Sequence, residues 1–425
     1  MQDESVVVAG AGLAGLVAAR RLAAADVDVT VYERRDEVGG RVRTERRGGY
    51  RLDRGFQVLF TAYPMVRAEL DLDALDLRRF KPGANIARPD NVSALSDPLR
   101  DPTALVPSLR NPEITTTDKM RTLALRQHVT AMEEDEFFTG RDMSIRQYLR
   151  EWGFSRQYVE NFVAPFYGGI TLDRSLGTSK HVFEYTFRAL SEGGIALPAD
   201  GMQAVPEQLA ANARDAGAEI RLGEPVESID DSGEGVTVTT SEGTVEAGAA
   251  IVATDPKQAH ELTGVDAIPT EARSCVTQHY SLPAREAPDT GKRLLLNAGE
   301  ASPNTVVNMT AVAPEYAPGD KELLNATFLG EDAQNRSAEE LEAETRRVLE
   351  AWYPNEDYSD LERVETHRIP FAQFDQPPGV HETLPDTRNA GGRTYLAGDY
   401  TRWSSIQGAM RSGRDAAEAV VSDLF

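Results

Sequence analysis

SVVVAGAGLAG, residues Ser5–Gly15, is a short apolar run leading straight into Gly10, Gly12 and Gly15. Gly10 permits a tight turn after a strand, Gly12 lets a pyrophosphate approach the backbone, and Gly15 lets the following helix pack closely on the strand. Leu13–Ala25 is helix-like and Asp28–Tyr32 strand-like, so the segment predicts a βαβ unit. At the start of that helix the amides of Leu13 and Ala14 have no intrahelical acceptor and carry partial positive charge, which suits a phosphate. Glu33 closes the second strand eighteen residues after Gly15, where a carboxylate can accept from ribose hydroxyls. The expected ligand is a dinucleotide.

Working outward, Glu33-Arg34-Arg35-Asp36-Glu37-Val38-Gly39-Gly40-Arg41 follows at once. The glycine pair lets backbone pass close to a ligand, and Arg41 carries a forked guanidinium suited to phosphate oxygens. The far end of the chain holds Tyr395-Leu396-Ala397-Gly398-Asp399 and then Ser404-Ser405-Ile406-Gln407-Gly408-Ala409-Met410-Arg411-Ser412-Gly413. Asp399 follows a strand and a glycine, so its carboxylate can meet a sugar-alcohol hydroxyl at the strand's carboxyl edge. Ser404 and Ser405 are suited to capping a helix, and Gly408-Ala409 keep its first turn slim. A helix so aimed at the pyrimidine edge of a flavin stabilises negative charge gathering there on reduction. A nicotinamide dehydrogenase needs only the N-terminal motif, whereas a protein holding a flavin dinucleotide end to end needs both.

Together these segments resemble the flavoprotein family of amine oxidases, protoporphyrinogen oxidases and phytoene or carotene desaturases, over nearly the whole chain. Ala199–Leu209 (ADGMQAVPEQL) is similar to that family's entry to its second cofactor-side segment, and Phe162–Ile170 (FVAPFYGGI) to its substrate-domain helix end and turn. The resemblance implies an α/β fold with a Rossmann-type doubly wound FAD-binding domain. A discontinuous α+β substrate domain, a mixed sheet plus helices, accompanies it. It also implies that Glu33 holds the adenosine ribose, Arg41 the phosphates and Asp399 the ribitol. Val226 would contact the adenine side through its backbone, and Gly55-Phe56-Gln57 would pass the flavin ring. The expected cofactor-binding set is Gly10, Gly12, Leu13, Ala14, Gly15, Glu33, Arg34, Gly40, Arg41, Gly55, Phe56, Val226, Gly398, Asp399, Ile406, Gly408 and Ala409.

Two departures narrow the subfamily. Amine oxidases commonly carry a lysine beside the flavin on a central strand of the substrate domain. The corresponding strand, Arg273–Leu282 (RSCVTQHYSL), has none, and Lys292 is the nearest on its C-terminal side. Monoamine oxidases also tie the flavin to a cysteine near the C-terminal motif, but the one cysteine here is Cys275. Non-covalent FAD and a desaturase- or porphyrinogen-oxidase-like removal of hydride from a substrate C–H are therefore expected. An amine or amino-acid oxidase using oxygen is the alternative within enzymes. A non-enzymatic interaction protein, like the GDP-dissociation inhibitors of the same fold, is the alternative outside them. No catalytic acid or base is assigned.

Composition bounds the rest. The 425 residues predict two domains: FAD-binding from residues 1–59, 198–256 and 390–425, and substrate-binding from 60–197 and 257–389. A lone cysteine makes no internal disulfide, and the six scattered histidines show no ligand pair, so no metal is expected. A net charge of −23 repels nucleic acid. Lysine occurs only at positions 81, 119, 180, 257, 292 and 321, and with so many carboxylates this suggests adaptation to a salt-rich cytoplasm. There is no signal-peptide pattern and no long apolar stretch, so the expected location is cytoplasmic, with peripheral membrane contact left open. The expected partner is a small-molecule substrate, an isoprenoid or tetrapyrrole if the cavity is apolar and an amino acid if it carries a carboxylate clamp. The electron acceptor is not legible.

Along the chain, helices are expected at Lys119–Glu136 and Ser144–Tyr167, giving a largely helical insert from about Phe60 to Leu190, and then at Gln203–Ala216, Ala338–Trp352 and Gly408–Asp423. Strands are expected at Ala218–Leu222, Pro225–Ile229, Gly235–Thr240, Ala249–Ala253, Leu294–Leu296, Leu323–Leu329 and Thr394–Ala397. Leu95–Pro112, with four prolines, reads as an irregular excursion. His279 and Tyr280 on their strand, and the apolar run Tyr158–Ile170, read as structural before functional. Trp403 reads equally as a packing residue or as one stacked near the ring.

Overall fold

Five short strands assemble a parallel sheet in the spatial order Glu219–Leu222, Asp28–Glu33, Ser5–Ala9, Ala249–Val252, Thr394–Leu396 in a computed structural model. The model describes residues 5–95, 115–300 and 302–424. Numbered along the chain these are strands 3-2-1-4-5, the order of a doubly wound fold, whose switch point lies between Ser5–Ala9 and Ala249–Val252. Register follows side-chain alternation: Val6 pairs with Ala249 and Val8 with Ile251. Val6 and Val8 face a helical layer of Leu13–Ala23, Ala204–Asp215 and Ile406–Leu424, where Leu16, Leu22, Leu209 and Met410 are buried in one core. Val7, Ala9 and Ala250 face the antiparallel strands Val226–Asp231, Val236–Thr240 and Gly243–Ala247 through Val226, Val236, Val238 and Ala247.

A second sheet has seven strands, in the order Glu362–Phe374, Ala272–Pro283, Lys321–Leu329, Thr305–Asn308, Leu295–Asn297, Ala84–Arg88, Asn91–Leu95. It is antiparallel except where Leu295–Asn297 runs beside Ala84–Arg88. One face packs Val276, Tyr280, Ala326 and Phe328 against the helix Ala338–Trp352. A capping box of Ser337 and Glu340 starts that helix, where the sequence placed it. The helices Thr116–Ala131, Ile145–Glu151, Ala164–Thr171 and Lys180–Glu192 surround a third core that includes Leu125, Tyr148, Tyr167 and Phe183.

Several expectations are corrected. The helix expected over Ser144–Tyr167 is broken: it stops at Glu151, Gly153 turns the chain at φ +79°, and Ser155 restarts it by accepting from the Tyr158 amide. A π-helical turn, Val159–Val163, then leads into Ala164–Thr171. The insert from Phe60 to Leu190 is less helical than expected, because Leu77–Arg79, Ala84–Arg88 and Asn91–Leu95 are strands. These strands are too short for their alternation to stand out from the surrounding charge. The helix expected at Lys119–Glu136 spans Thr116–Ala131. The irregular excursion expected at Leu95–Pro112 lies, beyond Leu95, outside the described residues. Glu362–Phe374 escaped the sequence reading because it is a half-exposed edge strand carrying charges and Pro370, and proline is tolerated on an edge. Among the described residues no helix is long and apolar enough to cross a membrane, and no group of histidine, cysteine and carboxylate side chains could hold a metal ion.

Candidate functional site

The glycine-rich turn lies at the carboxyl end of Ser5–Ala9, on the switch point. Gly10 sits at φ +106° and donates to the Tyr32 carbonyl at 2.7 Å. A Cβ on Gly15 would overlap the Gly10 carbonyl oxygen, so turn and helix touch. Gly12 is the opposite case: a Cβ there would meet no atom within 4 Å. Gly12 is also the N-cap of Leu13–Ala23, and no side chain caps that helix. The open space therefore lies over an uncapped helix N-terminus, with Leu13 and Ala14 as its first residues. Such a cradle fits a phosphate anion.

Glu33 is buried beside this turn. Its carboxylate accepts from the Ala11 amide at 2.8 Å and the Arg35 amide at 3.1 Å, so it braces the glycine loop. A carboxylate has lone pairs for more than two donors, so a ribose hydroxyl can still be accommodated. Gly40 closes the loop at φ +61°; a Cβ there would lie 3.3 Å from Gly12 Cα. Arg34 pairs with Asp255, its half-exposed guanidinium 3.2 Å from that carboxylate. Val226 is buried at the start of its strand, next to Glu224, whose amide donates to the Glu33 carbonyl at 2.9 Å.

The two ends of the chain meet at Arg41. Its Nη2 lies 2.6 Å from Asp399 Oδ1, while Nη1 donates to the Ala372 carbonyl at 3.2 Å. The guanidinium is one-third exposed; partial desolvation pulls against its charge, but the Asp399 carboxylate outweighs that and holds it firmly protonated. The second oxygen of Asp399 accepts from Ser404 Oγ at 2.7 Å. Of the two serines expected to cap the last helix, only Ser405 does so, accepting from the Gly408 amide at 2.8 Å. A side chain at Gly408 would overlap the Trp403 carbonyl oxygen, which accounts for the slim first turn of Ile406–Leu424; Ala409 follows on its half-buried side. Gly398 joins the last strand to Asp399.

Gly55 and Phe56 lie on a strap, residues 54–57, that leaves the hairpin Thr44–Arg47/Tyr50–Asp53 and crosses toward the second sheet. A Cβ on Gly55 would lie 3.0 Å from Ile369 Cδ1, and the Phe56 ring stands edge-on to Phe80 at 6.3 Å. Gln57 Nε2 donates to the Arg41 carbonyl at 3.0 Å, and its Oε1 is buried without a partner. Thr254 Oγ1, beside the glycine turn, is another buried oxygen without one. Unsatisfied buried acceptors and donors call for a water or a ligand. Gln57 belongs to the Gly55-Phe56-Gln57 stretch but not to the expected cofactor-binding set. Thr254, Ala372 and Gln376 (which accepts from the Ser404 amide at 2.9 Å) belong to no motif and converge only through tertiary contacts.

Other candidates prove structural. Tyr280 is in the core under Ala338–Trp352 and donates to Thr345 Oγ1 at 3.0 Å. Trp403 is buried, stacking on Phe138 at 4.6 Å and packing on Tyr185. Tyr158, Val163 and Tyr167 are core, while Phe162, Phe166 and Ile170 are half-buried against it. Burial pushes the Cys275 thiol up to about 12, which leaves it inert as a nucleophile. A surface depression of about 530 Å³ lined by Arg88, Arg156, Gln157, Glu160 and Asn161 includes none of the residues gathered at the glycine turn.

Asp53, at the root of the strap, has a measurable signature. Burial raises its carboxyl to about 6, against the lowering effect of hydrogen bonds from Thr44, the Met202 amide and Tyr316. A carboxyl raised above its unfolded value of 3.8 contributes stability that is complete below about pH 4 and lost as pH climbs through 6. An uncharged isostere escapes that loss. Relative to wild type, Asp53→Asn is therefore expected to gain on the order of 2–3 kcal/mol between pH 4 and pH 7. Paired thermal melts at the two pH values check this, and a pH-independent difference would refute it.

The family of flavin-containing amine oxidoreductases matches this chain over residues 13–421. The 15-cis-phytoene desaturase of Glycine max is 26% identical over 474 residues, covering 99% of this chain and 80% of that protein. Among solved structures, a putative protoporphyrinogen oxidase from Exiguobacterium sp. 255-15 superposes with a TM-score of 0.72 at 17% identity, covering 99% of both chains. Cyclohexylamine oxidase from Brevibacterium oxydans IH-35A superposes at 0.71 with 19% identity, again over 99% of both. At these identities the two structures establish a shared fold.

Proposed function

Because this chain belongs to the flavin-containing amine oxidoreductases, matching that family over residues 13–421, we propose that it is a desaturase- or porphyrinogen-oxidase-like dehydrogenase using non-covalent FAD. The flavin, when bound, supplies the acceptor for a hydride removed from a substrate C–H bond. The observation that carries this reading is the Arg41–Asp399 ion pair, which brings residues 358 positions apart to one point beside the open, uncapped helix start at Gly12.

In this reading the amides at Leu13 and Ala14 receive the pyrophosphate, with Arg41 alongside. Glu33 and Asp399 hold the sugar hydroxyls at the two ends, and the start of Ile406–Leu424 faces the pyrimidine edge. The same reading keeps residues 1–59, 198–256 and 390–425 as the FAD-binding domain, with 60–197 and 257–389 as the substrate domain. Two features favour the desaturase side. The Ala272–Pro283 strand carries no lysine, and its His279 is pushed down to about 3 by burial, so it stays neutral and takes no proton from an amine at working pH. The half-buried Phe162, Phe166 and Ile170 offer apolar surface, which suits an isoprenoid or tetrapyrrole.

The purified protein is expected to be yellow and to release all of its FAD on denaturation. Anaerobic additions of a polyene precursor, a porphyrinogen and a panel of amines test the substrate class, with bleaching of the flavin bands as the readout. Bleaching by amines alone, with peroxide formed on admitting air, would overturn the desaturase reading. A colourless protein that takes up no FAD would overturn the flavin reading.

A further inference from the structure

Four elements, three of them distant in sequence, converge on one buried residue at the root of the strap. Asp53 Oδ1 accepts from Thr44 Oγ1 at 2.5 Å and from the Met202 amide at 2.9 Å, and Oδ2 accepts from Tyr316 Oη at 2.9 Å. Its backbone carbonyl accepts from His279 Nε2 at 3.2 Å. A carbonyl can only accept, so Nε2 carries the proton and Nδ1 is the acceptor, facing Asn325 Nδ2 at 3.5 Å. Both Asp53 and His279 are fully buried.

From Asp53 the chain runs directly into the strap. The Arg54 amide donates to the Arg43 carbonyl at 2.9 Å and Gln57 Nε2 to the Arg41 carbonyl at 3.0 Å, so strap and Arg41 segment are laced together. Arg41 in turn meets Asp399. The hydrogen bond from Ala272–Pro283, the strand next to the edge of the second sheet, therefore acts three links away, on the residue that joins the two chain ends. A core that needed only filling would take an apolar residue at position 279. A ring buried, neutral and aimed at one carbonyl is a device for fixing that carbonyl's position.

We propose that Asp53 and His279 are positioning residues for the cofactor: His279 pins the Asp53 carbonyl, and the pinned strap sets Arg41, through Gln57, against the phosphates. This rests on the flavin reading above and adds to it residues that touch no part of the cofactor themselves.

The test compares His279→Leu, which removes the donor, with His279→Gln, whose Nε2 reaches about as far as the imidazole Nε2. FAD is titrated into each apoprotein by fluorescence quenching, and the visible circular dichroism of the bound flavin is recorded. His279→Leu is expected to raise the FAD dissociation constant about tenfold and alter the dichroism, the scale of one buried hydrogen bond. His279→Gln is expected to restore both to within about threefold of wild type. Apoprotein melting temperatures accompany the titrations, since a purely structural role predicts that binding tracks stability in both variants. Gln57→Leu supplies the second arm. If the signal passes through Gln57, adding it to His279→Leu changes binding by less than about twofold, although alone it matters as much.

Equal FAD binding in the two His279 variants, or multiplying effects in the double variant, would overturn the proposal while leaving the flavin reading intact. A wild-type protein that binds no FAD would bring down both, and it is seen before any variant is made.

Discussion

Gly12→Val is expected to give a protein that folds like wild type but purifies without colour. The backbone at Gly12 is ordinary extended chain, φ −75° and ψ 178°, so a β-branched residue is conformationally acceptable there. No protein atom lies within 4 Å of the new Cβ. Valine is a poorer N-cap than glycine by about 1 kcal/mol, which in a chain of this size lowers the melting temperature by roughly 2 °C. The ligand bears the larger effect. An isopropyl group standing over the first helical turn keeps a pyrophosphate from the amides of Leu13 and Ala14. Losing two charge-assisted hydrogen bonds weakens FAD binding on the order of a thousandfold. FAD titration of the apoprotein beside its melting curve separates the two effects. Wild-type flavin content in this variant would show that the open space over Gly12 is not where the phosphates go. Gly15→Ala is the control with the reverse signature, because its methyl overlaps the Gly10 carbonyl oxygen and the protein itself must shift.

The second large effect is expected from Asp399→Ala. This truncation leaves the Arg41 guanidinium, only one-third exposed, without its counter-charge, and removes the acceptor for Ser404 Oγ. Breaking a fully buried pair costs about 3–5 kcal/mol; with Arg41 partly open to water, about 2–3 kcal/mol is the fitting figure. FAD affinity is expected to fall about a hundredfold, because the residue lost is both the clasp between the chain ends and the proposed holder of the ribitol. Asp399→Asn keeps the shape and one acceptor, so it should fall between wild type and the alanine variant. Fluorescence titration of the three apoproteins gives the order directly. Full FAD occupancy in Asp399→Ala would remove Asp399 from the site.

Much of the scaffold was legible because its cues are local. The Gly10/Gly12/Gly15 spacing, the run of the first strand and the period of Ala338–Trp352 each lie within one element, and each element formed where its residues indicated. The failures share a cause as well. The break at Gly153 lies inside an otherwise helical apolar pattern, and Glu362–Phe374 is a strand whose half-exposed faces give no clean alternation. The break is hidden by a periodic signal that runs across it, and the strand carries none of the alternation from which elements are read.

The site divides along the same line. Its family, its glycine-rich turn and the carboxylates that follow two of its strands are properties of contiguous sequence, because a glycine turn and a strand-end acid are set within a few residues of backbone. The Arg41–Asp399 contact, the Arg34–Asp255 contact, and the convergence of Met202, Tyr316 and His279 on Asp53 belong to tertiary structure alone. Hydrogen bonds reach about 3 Å, and no pattern along the chain encodes which distant donor will stand that close once the two sheets have packed.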